Sequence, residues 1–477
     1  MRKRFETQYS LGTLKIEDTK INVKSRDAFT KLIIALKYIY TDEKYNSQVL
    51  SLLDRSVLGN KQNTGRPGMN LWQIFVLAQT RLALNISYDR LHHMVNHDAL
   101  LGQIIGIQTT WEYEKAEIEY QTIVDNVKLL DDETLKKIND IIVKMGHDVF
   151  KKKETEASNL KSDSFVVETN VHFPTDYNLL WDSMRKTLDA VEEFLKKYAV
   201  KGWRKIEYWR QELKNMMRAI SQSSRKKEEA RVLLVEEYLH KSKSFSEKLD
   251  KEQKNLPLND TADLARHCEL DYYKGLIVKH IDLLERRIIN GEKIPHQEKM
   301  FSIFEPYTEW ITKGKQNPSF ELGKNLTITS DQFHLIVDFE IMEHQTDSQI
   351  VIPLADRVLQ KYDVSSWSFD KGYYSKENKE LLNLFIEKVI MPKKGRLNKQ
   401  EEQEEHQKEF KKLRNKHSAV ESNINELEHR GLDRCPDRGY QHFKNYVALG
   451  ICAYNLHRIG AELLRQAKEK IKLKQVA

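Results

Sequence analysis

Residues 177–295 run dense in Lys, Glu, Arg and Leu and sparse in Gly and Pro, and strand-like sequence lies on both sides of them. Stretches such as Arg225-Lys-Lys-Glu-Glu-Ala-Arg-Val-Leu-Leu-Val-Glu-Glu-Tyr-Leu predict long helices with charged outer faces. Just before the block, Ser164-Phe-Val-Val-Glu-Thr-Asn-Val-His-Phe is β-branched and aromatic and stops at Pro174, which predicts a strand. After it, Met300–Phe304, Leu326–Thr329 and Phe333–Ile341 read as consecutive strands. A strand separated from its neighbours by so much helix completes a sheet only if the helices form a block of their own.

The rest of the chain continues the alternation. A helix is predicted near Ile350–Tyr362, a strand over Ser365–Asp370, a helix from Ser375 and a short strand at Val389–Lys393. From Lys399 to Leu473 the pattern is helical, with a break near Gly431–Gly439. The fold class expected is mixed α+β, with the element order of an RNase H-like core interrupted by an all-helical insertion. The expected boundaries are 1–157 for a helical N-terminal domain, 158–176 for the first core strand, 177–297 for the insertion and 298–477 for the remaining core and C-terminal helices.

Within the N-terminal part, Gly65-Arg66-Pro67-Gly68 punctuates two helical stretches. The apolar run from Asn70 to Leu84 is followed by Ser87, an N-cap for a second short helix. Such a pair is compatible with a helix-turn-helix on DNA and equally with a packing or dimerisation unit.

Composition excludes several classes. Hydrophobic residues make up 40% of the 477 residues, enough for real cores, and the length calls for more than one domain. Three cysteines, Cys268, Cys435 and Cys452, cannot build a disulfide scaffold and suit a reducing, cytoplasmic setting. The basic start lacks an apolar stretch behind it, as a secretory signal would need, and no run is long and apolar enough to span a bilayer. Lys and Arg (78) exceed Asp and Glu (71), a net charge of +7 that permits a nucleic-acid partner without requiring one.

Metal-assisted phosphoryl chemistry needs carboxylates converging from separate elements, because Mg²⁺ takes oxygen ligands and two ions can serve the attacking and leaving oxygens. Asp163 opens the first core strand, Asp370 ends a later strand, and Glu421 lies in a helix beside the stripe Phe410, Leu413, His417, Val420, Ile424 and Leu427. Spacing alone does not single these three out among 71 acidic residues.

The surrounding motifs do. Asp163-Ser-Phe-Val-Val-Glu-Thr-Asn-Val-His-Phe-Pro-Thr-Asp176, Phe304-Glu-Pro-Tyr-Thr-Glu-Trp-Ile-Thr-Lys313-Gly-Lys315 with Glu321-Leu-Gly323, Asp370-Lys-Gly-Tyr-Tyr-Ser-Lys-Glu-Asn, and His417-Ser-Ala-Val-Glu421 through Arg434-Cys-Pro-Asp-Arg-Gly439 together resemble the DDE transposases of insertion sequences, most closely the ISNCY-like group. The resemblance implies Mg²⁺- or Mn²⁺-dependent cleavage and strand transfer at the ends of a mobile element, with two ions per site held by Asp163, Asp370 and Glu421. It also implies double-stranded DNA as partner, both terminal repeats and target, and a homodimer on DNA. An inactive DNA-binding descendant and an RNase H-like nuclease are the alternatives.

Asp176 competes with Asp163 as first acid, although it also suits the N-terminus of the next helix. Related families carry Arg four residues before the Glu and Lys seven after it; here those places hold His417 and Glu428. Phosphate contacts are therefore expected from Lys313, Lys315, Lys371, Lys393, Lys394, Arg396, His417, Arg430 and Arg434. Arg225-Lys226-Lys227 is a further basic run, Trp203 and Trp209 read as helix packing, and His429, Cys435 and His442 lack the fourth ligand of a zinc site.

Overall fold

The computed structural model describes residues 3–5, 12–59, 68–109, 117–223, 228–314 and 319–476. Gly65-Arg66-Pro67, Arg225-Lys226-Lys227 and Lys315 lie outside the described residues. The chain divides into two compact units, one formed by 1–170 with 311–477 and the other by 171–310.

The first unit begins with helices α1 (Ala28–Thr41), α2 (Glu43–Leu53), α3 (Leu71–Ala83), α4 (Tyr88–His97), α5 (Ala99–Ile104), α6 (Tyr120–Val127) and α7 (Asp132–Val149). Their starts follow the capping signals of the sequence. Asn70 and Gln73 form a reciprocal capping box on α3, and the Ser87 side chain accepts from the Arg90 amide at the start of α4. α3 is buried nearly all round, as its unbroken apolar run requires. Strand β1 (Ser158–Thr169) follows.

The second unit contains α8 (Asp176–Lys197), α9 (Ile206–Gln222), α10 (Glu228–Gln253) and α11 (Thr261–Leu284). Leu180, Met184, Leu188, Phe194, Trp203, Tyr238, Phe245 and Leu270 build one apolar core among them. Trp203 is fully buried, and Trp209 packs on Phe245 with ring centroids 5.6 Å apart. Met300–Phe304 is not a strand. The Ser302 hydroxyl accepts from the amides of Phe304 and Glu305 and turns the chain there, although its β-branched and aromatic composition resembles a strand.

Thereafter come β2 (Glu309–Thr312), β3 (Phe320–Ser330), β4 (Ile336–Ile341), α12 (Asp347–Leu359), β5 (Val364–Phe369), α13 (Lys376–Leu382), β6 (Lys388–Ile390), α14 (Lys399–His406), α15 (Lys408–Leu427), β7 (Arg434–Cys435) and α16 (Tyr440–Val476). The sheet runs β2-β3-β1-β5-β6, with β4 on β3 and β7 on β1. β1 is antiparallel to β3 and parallel to β5, and β5 is parallel to β6. The sheet is therefore mixed and the class α+β.

Register assigns the two faces. Leu160 pairs with Trp367 and Ser162 with Phe369, and Leu160, Trp367 and Phe369 join Ile350, Val351, Leu354 and Val358 of α12 in one core. Lys161 pairs with Ser368 on the opposite face. α15 contacts β1, β5 and β6. α16 packs on α1, α3 and α7, so the N-terminal helices belong to the same unit as the sheet. Gly460 marks the closest crossing: a Cβ there would stand 1.8 Å from the Lys31 carbonyl of α1. No described helix is long and apolar enough to cross a membrane.

Candidate active site

Asp163 is mid-strand on β1, where burial alternates from Ser158 to Asp163, and it pairs with Ile328 of β3. One step beyond Ser162–Phe369, the same register brings Asp163 level with Asp370, which follows β5. Asp370 caps the single 3₁₀ turn Lys371–Tyr373 and faces the Gly372 amide at 3.5 Å. Glu421 lies in α15, whose inward positions Phe410, Val420, Asn423 and Leu427 are buried, and is itself exposed beside them.

The electrostatics show that these three acids share one neighbourhood. Burial pushes the Asp163 carboxyl up to about 7, and the charges of Asp370, Asp347 and Glu421 push the same way against a hydrogen bond from the Ser164 amide. Glu168 is turned to Arg434 at 2.6 Å. Asp176 sits in the first turn of α8, ion-paired with Arg287 at 2.7 Å, while Thr175 supplies the cap.

A fourth acid completes the group. Asp347 starts α12 behind the Thr346–Gln349 capping box and accepts a hydrogen bond from the Ser164 hydroxyl at 2.7 Å. A Cβ on Gly372 would lie 2.5 Å from its Oδ2, so the Asp370 turn closes directly over it. Burial raises the Asp347 carboxyl, and Asp370 adds to the effect. The sequence does carry a signal, Thr-x-x-Gln at a helix start, but that signature explains an acid in the first turn by the helix dipole alone.

Asp347 and Glu421 line an open cleft of about 580 Å³ with Ser164, Asn325, Asn425 and Glu428. Lys313 also lines it, ion-paired to Glu321 at 2.5 Å, and its charge opposes the burial that raises Glu428. The other basic residues are distributed differently. Lys371 is exposed beside Asp370, and Lys394 and Arg396 are exposed in the loop after β6. The Lys394 charge is felt at Asp347. Lys393 is held by Glu401 at 2.7 and 2.9 Å, and Arg434 by Glu168. Arg430 is tied into the fold through Glu426, His457 and the Ala83 carbonyl. His417 points inward, within 3.0 Å of the Ser368 hydroxyl, and burial holds it down at about 4, so near neutral pH it is uncharged.

Carboxylate oxygens are the donors gathered here, the set that hard divalent cations prefer over sulfur- and nitrogen-seeking ones. Among the described residues no three His, Cys, Asp or Glu side chains are grouped so as to hold a metal ion as they stand, so the acids form an open bay. Carboxylates from β1, the β5 turn, α12 and α15 are gathered here, and burial with neighbouring negative charge raises those of Asp163 and Asp347, a penalty that a bound cation relieves.

No curated protein and no solved structure matches the chain. Residues 286–456, which contain Asp347, Asp370 and Glu421, match the family described as the transposase DDE domain.

Proposed function

We propose that the chain cleaves DNA at the ends of an insertion sequence and joins the freed 3′-hydroxyl to target DNA, with Asp163, Asp370 and Glu421 as metal ligands. The observation that carries this reading is the crowding of Asp163 by Asp370, Asp347 and Glu421. The strand order and directions, with β1 central between antiparallel β3 and parallel β5, support an RNase H-like core, and the 171–310 unit corresponds to a helical insertion after its first strand.

Two Mg²⁺ or Mn²⁺ ions, when bound, would supply the activated oxygen nucleophile and stabilise the leaving oxygen of an in-line displacement. The chain's own residues do the rest. Asp163 and Asp370 present oxygens from neighbouring strands, and Glu421 presents its own from α15. Lys313 lines the cleft, and Lys371, next to Asp370, and Lys394 and Arg396, in the loop after β6, are exposed and available to neutralise DNA phosphates. Arg430 and Arg434 are committed to Glu426 and Glu168, so the phosphate contribution falls chiefly on the former group. Two element ends must be held at once, which calls for a homodimer on DNA acting in the prokaryotic cytoplasm.

The test is incubation of the purified full chain with duplex carrying the sequences that flank its gene, in Mn²⁺ or Mg²⁺. Cleaved and joined products are expected with the wild type and none with Glu421→Gln or Asp163→Asn. Cleavage and joining that survive Glu421→Gln would overturn the assignment, and cleavage without joining would indicate a nuclease.

A further inference from the structure

Directly beneath the acids, a second set of residues links the elements that carry them. His417 Nδ1 and the Ser368 hydroxyl are 3.0 Å apart, and the same hydroxyl reaches the Leu160 carbonyl of β1 at 3.5 Å. Since a carbonyl only accepts, Ser368 donates to Leu160 and receives from an Nδ1–H of His417. Each member precedes an acid on its own element: Leu160 by three residues before Asp163, Ser368 by two before Asp370, His417 by four before Glu421.

The steps match. Two residues of strand advance about 6.6 Å, and four residues of helix about 6 Å. A link at Ser368–His417 therefore sets Glu421 level with Asp370, and its continuation to Leu160 holds β1 in the same register. His417 is the only titratable link, and it lies between β5 and α15 with Lys161 and Asp370 as the charged groups it senses. Its Nε2 is buried without a hydrogen-bond partner among the described residues, so the Ser368 contact is the ring's one hydrogen bond among them.

We propose that His417 and Ser368 are positioning residues that hold α15 in the register at which Glu421 can share a cation with Asp163 and Asp370. This rests on the metal-dependent reading above. It replaces a phosphate contact by His417 with a structural link to Ser368.

The experiment titrates the full chain with Mn²⁺ by electron paramagnetic resonance and, separately, measures binding of a generic duplex without divalent metal. Ser368→Ala and His417→Ala are expected to weaken Mn²⁺ binding roughly tenfold each, as removal of outer-shell partners does. The double variant should be little worse than either single one, and His417→Gln, which retains a side-chain N–H donor, should recover part of the loss. Metal-free duplex binding should not change. Unaltered Mn²⁺ affinity in Ser368→Ala, a substitution small enough to fold, overturns the proposal. So does a salt-dependent loss of metal-free duplex binding in His417→Ala, which would mark a phosphate contact. If wild type and Asp163→Asn bind Mn²⁺ equally poorly, the metal-dependent reading itself fails and the inference falls with it.

Discussion

At the scale of single residues, the acids separate into those visible in the sequence and one that is not. Asp163, Asp370 and Glu421 stand out only through the motifs around them, because no spacing rule says that a strand residue, a turn residue and a helix residue meet. Asp347 is invisible for a physical reason. Its place depends on where α12 begins relative to β1, which the Ser164 hydroxyl and the close approach of Gly372 fix in three dimensions. Its role is testable by Asp347→Asn, which keeps an acceptor for Ser164 and removes the charge. Mn²⁺ affinity should fall about tenfold with the melting temperature preserved. An unchanged affinity would show that Asp347 serves the fold and not the bay. The basic residues teach the converse. Arg430, Arg434 and Lys393 look available in the sequence, yet each is held by a carboxylate: Glu426 one helical turn before Arg430, Glu168 distant in sequence from Arg434, and Glu401 of α14 for Lys393.

At the scale of elements, helices were legible because caps and period announce them, and the helical block announced itself by lacking Gly and Pro. Strands were less so: Met300–Phe304 has the composition of a strand and none of the pairing, while β2 sits a few residues later. What joins the elements was not legible at all. Arg81 of α3, 5% exposed at its side chain, meets Asp437 in the loop between β7 and α16 through two hydrogen bonds of 2.8 and 3.0 Å. The same guanidinium lies over the Tyr88 ring, 4.0 Å from its centroid. Removing the carboxylate leaves a buried cation unpaired. Asp437→Ala is therefore expected to cost about 3 kcal/mol in chemical denaturation, far more than removing Arg465, whose guanidinium meets Glu462 while open to water. Comparable losses from the two would mean that the Arg81 site is open to water.

At the scale of the whole molecule, buried titratable groups make each of the two units sensitive to acid. In the 171–310 unit, His280 of α11 is fully buried, and neither ring nitrogen has a hydrogen-bond partner among the described residues. Burial holds it down at about 4, with Asp176 pulling up and Lys279 pushing down. In the unfolded chain an imidazole takes up its proton near 6.5. Between those two values the unfolded state binds more protons, so stability is full above about 6.5 and falls as pH drops towards 4, by roughly 3 kcal/mol at the lower end. Glu426, in the other unit, behaves at lower pH. Burial opposes its charge, but His457 and Arg430 outweigh burial and hold it at about 2, so its contribution is complete above about 4.5 and disappears only below that. Acid should therefore weaken the helical unit through His280 between about 6.5 and 4, the same window in which the buried His417 acts on the other unit. The measurement is thermal unfolding of the full chain at pH 7 and pH 4.5, wild type against His280→Met, a substitution that fills the same apolar site without a titratable group. The wild type should show a helical transition that moves to lower temperature in acid, and the variant should suppress most of that shift. If both chains shift equally, the buried imidazole is not what makes the helical unit acid-sensitive, and the carboxylates paired across its surface, Asp260 and Asp263 with Lys197 among them, must carry the effect instead.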